Sequence, residues 1–367
     1  MGSNGKIIRV GIAGCGEVAQ TTHLPTFALL SHLYEVTALC DVSPGFLDHC
    51  ATKFGIEKKY SDFSDLAKDP EIDLVFILTA DEYHASMAVE AADNGKAVFI
   101  EKPMALTHAD AKAIVEAEKR NGVVVFVGYM RRYAAAYERM KEEIANIKNI
   151  RYATVRDIIG LNSFFVGQSG TFPAAFTDFP PEANADRQAR GKAMVETALS
   201  PEGAANPKDV FTYRLLGGLG SHDLSAMREL LGVPNRCFAA SRAQGEGMPF
   251  ITALFDYGGF TATYESGIDN VADFDAHIEV IGDGKRVKIS YDTPYVKGLP
   301  ITIQVKEQDS HGHYVERTIR PTYKDAYTIE LESLHASLTE GKPVKTSPSD
   351  AAQDLIIFDQ IMGALVN

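Results

Sequence analysis

The 367-residue sequence has few cysteines and no concentrated positive charge, and both absences exclude classes of protein. Its four cysteines form no C-x-x-C pair and have no zinc-ligand spacing, so we expect them to be reduced and expect no bound metal. A net charge of −13 without a Lys/Arg cluster argues against binding of nucleic acid or of an anionic membrane surface. Small-molecule or protein partners are favoured instead.

Long apolar runs are also absent. The longest runs, such as residues 74–80, are far shorter than a membrane span, and the first residues lack the apolar core of a signal peptide. We therefore expect a cytoplasmic protein that does not enter a membrane. The chain is longer than one hydrophobic core usually supports, which predicts two domains.

Short apolar strands and helical stretches alternate in the first third of the chain. The predicted strands cover residues 7–13, 34–40, 74–80, 97–100 and 123–128, with helices over 86–93 and 109–120. Thr107 and Asp110 have capping-box spacing, and Asn121-Gly122 is a helix-end signal. This alternation predicts a doubly wound parallel sheet.

A glycine turn follows the first predicted strand and reads Gly14-Cys15-Gly16-Glu17-Val18-Ala19. Gly14 permits a tight turn, Gly16 allows the backbone to approach a pyrophosphate, and the following helix N-terminus favours an anion. The spacing matches the dinucleotide-binding fingerprint.

Asp41 ends the second predicted strand, where a carboxylate can accept hydrogen bonds from the adenosine ribose hydroxyls. Residues 42–45 offer no cation for a 2′-phosphate, so the sequence favours NAD over NADP as the cofactor. The alternative for Asp41 is an ordinary turn or helix-capping residue.

The stretch Phe99-Ile100-Glu101-Lys102-Pro103 leads a strand into two charged residues. In a parallel sheet, Glu101 and Lys102 would lie at the carboxyl edge, where ligands bind. The alternative for Lys102 is a solvated lysine at a strand end.

Together these motifs resemble the glucose-fructose oxidoreductase / inositol dehydrogenase family, also called Gfo/Idh/MocA. The resemblance rests on the following segments: 10–16 with His23-Leu24-Pro25, Thr79 with His84, 95–96 leading to 101–103, 128–132, 220–222, and Tyr327 with Glu330-Leu331. It implies an NAD(P)-binding Rossmann domain over residues 1–130. It also implies an α+β domain over residues 131–367 with an open, mostly antiparallel sheet, which binds substrate and forms homodimer or homotetramer contacts.

The resemblance also implies an activity, namely hydride transfer between NAD(H) and a secondary alcohol or ketone of a sugar, cyclitol or related metabolite. It implies that Lys102 holds the substrate and that His222 exchanges the hydroxyl proton, which suits an imidazole. The expected cofactor contacts are Gly11, Gly14, Gly16, Glu17, Val18, Asp41, Thr79, His84, Glu101 and Lys102. The expected substrate contacts are Lys102, Tyr129, Arg131, Tyr213 and His222. The alternative for Tyr129, Arg131 and Tyr213 is a surface or ion-pair role, and the alternative for His222 is a surface residue at a helix start.

The pattern after residue 150 agrees with an antiparallel sheet. The predicted strands cover residues 150–159, 250–257, 260–266, 274–281, 286–291 and 301–306, with hairpin turns at Gly258-Gly259 and Asp283-Gly284. An aromatic-rich insertion near residues 161–216 interrupts this pattern. Such a segment is a lid, an oligomer-contact arm or a flexible loop, and its clustered phenylalanines favour a segment that packs.

His222 departs from the family pattern because Gly218 and Ser225 stand where many relatives have aspartates. With Ser221 as the N-cap, His222 would begin a helix whose dipole lowers the pKa of the imidazole, and the same dipole would explain Asp223. Two other functions stay open: a redox-neutral enzyme that uses bound NAD, and a non-catalytic NAD-binding sensor.

Overall fold

The computed structural model describes residues 6–243, 247–248 and 250–365. Its strands are β1 (Ile8–Ala13), β2 (Tyr34–Cys40), β3 (Lys58–Tyr60), β4 (Leu74–Ile77), β5 (Ala97–Glu101), β6 (Val125–Gly128), β7 (Ile150–Gly160), β8 (Arg236–Arg242), β9 (Phe250–Asp256), β10 (Thr261–Asp269), β11 (Phe274–Gly282), β12 (Lys285–Tyr291), β13 (Thr302–Gln308) and β14 (Tyr314–Ile319).

Its α-helices are α1 (Leu24–Leu29), α2 (Pro44–Phe54), α3 (Phe63–Lys68), α4 (His84–Asp93), α5 (His108–Asn121), α6 (Met130–Tyr133), α7 (Ala135–Ala145), α8 (Asn162–Val166), α9 (Pro181–Ala198), α10 (Pro201–Ala205), α11 (Pro207–Leu215), α12 (Ser221–Leu231), α13 (Ala326–Glu340), α14 (Pro348–Ala351) and α15 (Asp354–Ala364). Across the described residues, none of these helices combines the length and the apolar character needed to cross a bilayer.

The chain forms two compact units, and neither is continuous in sequence. The first comprises Met1–Tyr129, Thr171–Asn206 and Glu330–Ala352, and the second comprises Met130–Gly170, Pro207–Ile329 and Gln353–Asn367. The predicted second domain, residues 131–367, is therefore not one stretch. Most of the predicted insertion belongs to the first unit.

The first unit contains a six-stranded sheet in the order β3-β2-β1-β4-β5-β6. The pairs β1–β2, β1–β4, β2–β3, β4–β5 and β5–β6 are all parallel, which confirms the predicted doubly wound sheet. The apolar side chains of β4 and of the middle of β5 are completely buried, as expected for strands covered on both faces. The order reverses direction between β1 and β4, and ligands bind at such a switch point in α/β sheets.

Helix α5 has the boundaries that the sequence predicts. The Thr107 side chain accepts a hydrogen bond from the Asp110 amide at 3.0 Å, and Gly122 ends the helix with φ +62°. Both capping signals are therefore confirmed.

The second unit contains an eight-stranded sheet in the order β14-β13-β12-β11-β7-β10-β9-β8. Its pairs are antiparallel except β7–β10, so the predicted open, mostly antiparallel sheet is confirmed. Gly258 and Gly284 both have positive φ at the predicted hairpin turns. The sequence analysis did not predict the end strands β8 and β14. In β14, every second residue is exposed and the others are only half-buried. The strand therefore has no fully buried face that a clear apolar alternation in its sequence would mark.

A buried ionic cluster lies inside the second unit. The Arg131 guanidinium donates to Asp157 at 3.1 and 3.3 Å and to Asp223, and both carboxylates are fully buried. The Arg131 guanidinium also lies 5.2 Å from the centre of the Tyr291 ring. Burial raises the pKa of Asp223 well above its usual range, against the opposing effect of Arg131. One cation is therefore shared by two buried carboxyl groups, and the raised pKa of Asp223 favours its neutral, protonated form.

Replacing Arg131 by leucine should destabilise the second unit, because the two carboxyl groups would remain buried without their cation. The expected loss in free energy of unfolding is about 3–5 kcal/mol. Urea unfolding followed by circular dichroism measures it.

Arg156→Leu is the matched control, because Arg156 pairs with Glu265 and Asp275 at a site where its side chain is 35% exposed. That substitution should cost at most about 1 kcal/mol. Equal losses in the two variants would show that burial of the Arg131 cluster is not what makes it stabilising.

Candidate functional site

The carboxyl edge of the parallel sheet collects the residues that the sequence analysis predicted to bind a cofactor. Because β1, β2, β4 and β5 run in the same direction, each ends at this edge. Gly14 follows β1, Asp41 follows β2, the segment containing Thr79 follows β4, and Lys102 follows β5.

The glycine turn has one tight position and one open position. Gly14 has φ +96°, and a Cβ added there would lie 2.6 Å from the Leu78 carbonyl group. A Cβ on Gly16 would meet no atom within 4 Å, so the backbone borders open space where a pyrophosphate would approach. Glu17 is exposed and Val18 is half-buried as helical conformation begins.

Gly11, which is one of the predicted cofactor contacts, lies in a closely packed part of β1. It is buried within β1, and a Cβ there would lie 2.6 Å from Ile72 and 3.3 Å from Leu66. Close packing within the first unit therefore accounts for this glycine.

Asp41 lies beside the glycine turn with acceptor capacity for ribose hydroxyls. One carboxylate oxygen accepts from the Cys15 amide at 2.7 Å, and the other accepts from the Ser43 amide at 2.8 Å. A carboxylate has about four acceptor positions, so two such bonds leave positions for ligand hydroxyls. The turn, the open position at Gly16 and Asp41 together fit the adenosine diphosphate part of NAD.

Glu101 has hydrogen-bond partners inside the protein, and its contact with a cofactor stays a prediction. One carboxylate oxygen lies 2.8 Å from His23 Nε2, and the other accepts from the Lys102 amide at 3.0 Å. Burial acts to raise the pKa of Glu101, but His23 and Lys102 outweigh it and hold the pKa below its usual value. Glu101 therefore fixes the backbone of Lys102, whose half-buried side chain begins at the sheet edge.

His84 also has hydrogen-bond partners inside the protein, and its contact with a cofactor stays a prediction. Its ring nitrogens lie 2.8 Å from the Pro103 carbonyl oxygen and 3.1 Å from the Thr79 carbonyl oxygen, and the residue is buried. It therefore links the segment after β4 to the segment after β5. Thr79 lies next to the glycine turn, because the same added Cβ on Gly14 would be 2.8 Å from its amide nitrogen.

The predicted N-cap at Ser221 is wrong, because Ser221 is itself helical. Helix α11, a π-helical segment over Leu216–Gly220 and helix α12 follow one another without a break, and Gly220 has helical φ and ψ. His222 therefore lies inside a continuous helical run and not at a helix N-terminus, so the predicted effect of a terminal dipole does not apply. His222 itself is half-buried.

The other predicted substrate residues are buried. Arg131 is 3% exposed in the ionic cluster, and this cluster, rather than a helix dipole, accounts for Asp223. Tyr129 and Tyr213 are each 2% exposed, and Tyr213 packs edge-on against Phe358. These three side chains are buried in the described state, and their contacts with a substrate stay predictions.

The sequence analysis missed the carboxylate of Asp178. It accepts hydrogen bonds from the Ser43 hydroxyl and from the Gly45 amide at 2.7 Å. It lies 135 residues beyond Ser43 in the chain, so no local motif could have indicated the contact.

The geometry is that of an NAD-binding Rossmann unit joined to an antiparallel-sheet unit, and comparisons with known proteins agree. Residues 8–129 match the oxidoreductase family GFO_IDH_MocA, described as having an NAD-binding Rossmann fold. The first unit therefore matches this family over residues 8–129, and the match supports NAD as its nucleotide.

Named relatives agree with this match. The inositol 2-dehydrogenase of Salmonella paratyphi B is 39% identical over 37% of this chain and 41% of its own length, so this match spans less than half of that enzyme. The myo-inositol 2-dehydrogenase of Thermotoga maritima is 24% identical over 95% of this chain and 94% of its own length.

Among solved structures, a levoglucosan dehydrogenase in complex with NADH and levoglucosan has a TM-score of 0.73. It is 20% identical and covers 98% of this chain and 97% of its own, which shows a shared fold.

Two glycine substitutions should separate folding from nucleotide binding. Gly14→Ala should destabilise the first unit by about 2 kcal/mol or more, because of its positive φ and the clash with Leu78. Gly16→Ala should leave stability within about 0.5 kcal/mol. It should weaken NADH binding about tenfold, because the methyl group occupies the pyrophosphate approach.

Urea unfolding and NADH fluorescence titration measure the two effects. Full NADH affinity in a folded Gly16→Ala protein would contradict the predicted position of the pyrophosphate.

A carboxylate introduced at position 218 should change the titration of His222. Gly218 is exposed, about one helical turn before His222, and a Cβ there would meet no atom within 4 Å. In Gly218→Asp, the new negative charge should favour protonated His222 and move its titration midpoint upward by about one pH unit.

Nuclear magnetic resonance titration of the His222 ring measures this midpoint directly. Gly218→Asn is the control, because it adds a side chain of similar size without charge. An equal midpoint in the Asp and Asn variants would show that position 218 does not influence the imidazole.

Proposed function

We propose that this protein is an NAD(H)-dependent oxidoreductase that interconverts a secondary alcohol and a ketone in a sugar, a cyclitol or a related metabolite. The observation that carries the proposal is the first unit's carboxyl edge, where the glycine turn, Asp41 and Lys102 come from separate parallel strands. Its relatives named as inositol 2-dehydrogenases support the substrate class.

Bound NAD would supply the hydride acceptor, with Gly14, Gly16 and Asp41 holding its adenosine diphosphate part. The chain's own residues must then manage one proton and one developing negative charge. The Lys102 ammonium would stabilise the charge that develops on the substrate oxygen as its proton leaves. The internal bonds of Glu101 support this role, because they fix the backbone from which the Lys102 side chain extends.

His222 would remove the hydroxyl proton during oxidation and return it during reduction. An imidazole suits this role because its ordinary pKa lies near neutrality. Gly218 offers no carboxylate to favour the protonated ring. The role therefore rests on the imidazole itself.

Purified protein mixed with NAD and a panel of inositols and sugars should show a rise in nicotinamide absorbance with at least one compound. Lys102→Ala should abolish this turnover, and His222→Ala should reduce it about a hundredfold or more. Both variants should still bind NADH, which a fluorescence titration measures.

Lys119→Ala and His311→Ala are matched controls, because Lys119 is exposed on α5 and His311 is exposed beyond β13. Neither should change turnover. Substantial turnover by Lys102→Ala would remove Lys102 from the mechanism. Substrate conversion without net NADH would favour the redox-neutral alternative, and NAD binding without any conversion would favour the sensor.

Assembly as a homodimer or homotetramer through the second unit's sheet and a location in the cytoplasm stay predictions. Light scattering of the purified protein tests the first, and cell fractionation tests the second.

A further inference from the structure

The N-terminus of α2 lies next in sequence to the residue expected to bind the adenosine ribose. Asp41 directly follows β2, and α2 begins at Pro44 with Ser43 as its N-cap. The Ser43 hydroxyl oxygen accepts a hydrogen bond from the Phe46 amide at 3.1 Å, which caps the helix. Helix N-termini favour anions, so this position would ordinarily attract a phosphate beside the ribose.

A carboxylate from a distant part of the chain already accepts hydrogen bonds at this helix N-terminus. Asp178 accepts from the Ser43 hydroxyl and from the Gly45 amide at 2.7 Å. These two bonds lower the pKa of Asp178, which is therefore ionised at neutral pH. The same carboxylate acts to raise the pKa of Asp41, after the larger effect of burial, so the two charges influence each other.

Contacts made by nearby residues in the chain hold Asp178 in this position. Gln20 and Ala174 exchange two hydrogen bonds, at 2.8 and 3.1 Å, and the Lys53 ammonium donates to the Thr171 carbonyl at 2.6 Å. A Cβ added to Gly45 would lie 2.4 Å from the Phe176 ring, which shows how closely the segment approaches α2. The Phe176 ring also packs edge-on against Phe46.

We propose that Asp178 is a specificity-determining residue that excludes a 2′-phosphate, and therefore NADP, from the adenosine end of the nucleotide site. This rests on the nucleotide binding in the proposed function and adds a residue to it. A 2′-phosphate beside Asp41 would find the Ser43 hydroxyl and the Gly45 amide already donating to Asp178. It would also meet a second negative charge, at a position where NADP-binding sites typically place an arginine.

The test compares two small probes that differ by one phosphate: adenosine 5′-monophosphate and adenosine 2′,5′-bisphosphate. Their dissociation constants are measured by isothermal titration calorimetry with the full chain, its Asp178→Asn variant and its Asp178→Ala variant. Both substitutions should shift the ratio of the two constants about tenfold towards the bisphosphate, because one repelling charge is removed. The shift should shrink at high salt, because exposed charges are screened.

Glu182→Gln is the matched control, because it removes one negative charge from an exposed position in the same segment. Its ratio should stay within about twofold of that of the unchanged protein, since it lacks the contact with α2. Titrations with NADH and NADPH, followed by nicotinamide fluorescence, should show the same order of effects in the complete cofactors.

An unchanged ratio in both Asp178 variants, with binding of the monophosphate intact, would overturn the role of Asp178 and leave the proposed function standing. A ratio that shifts equally in Glu182→Gln would also overturn it, since the effect would then come from overall charge. Failure of the unchanged protein to bind either NADH or the monophosphate would instead count against the nucleotide site itself, and the inference would fall with it.

Discussion

The parallel pairing of the six-stranded sheet is the constraint on which the candidate nucleotide site depends. Parallel strands all end at the same edge, so residues far apart in sequence reach one place without any direct attraction between them. The order of the strands reverses between β1 and β4, which leaves a crevice outside their carboxyl ends. Gly14 and Asp41 flank that position because of the topology.

Buried charged groups then fix the details around this edge and within the second unit. Glu101 and His23 pair inside the first unit, and the pair holds the amide of Lys102. In the second unit, Arg131 donates hydrogen bonds to two buried carboxyl groups, one of which is on α12. In both places a polar interaction positions a segment next to a residue of proposed function. Such interactions favour one arrangement because any other would leave a buried charge without its partner.

Much of the fold was predictable because it depends on local signals. The glycine turn, the caps of α5 and the two hairpin turns each need specific residues at adjacent positions, and the structure confirms them. The prediction of Ser221 as an N-cap was wrong for the opposite reason, namely that it relied on a local signal alone. Its serine and aspartate are typical of an N-terminus, but the preceding π-helical segment continues the helix through Gly220. Strand β14 was missed because it buries too little to show an apolar pattern.

The sequence by itself determined the class of protein, since strand periodicity, the glycine spacing and Asp41 are properties of short segments. Only the tertiary structure decided which charged residues face inward and which distant segments meet. It turned Glu101, His84 and Arg131 towards partners inside the protein, and it brought Asp178 to the start of α2. Contacts across such separations depend on the packing of whole elements, and no local pattern of residues encodes that packing.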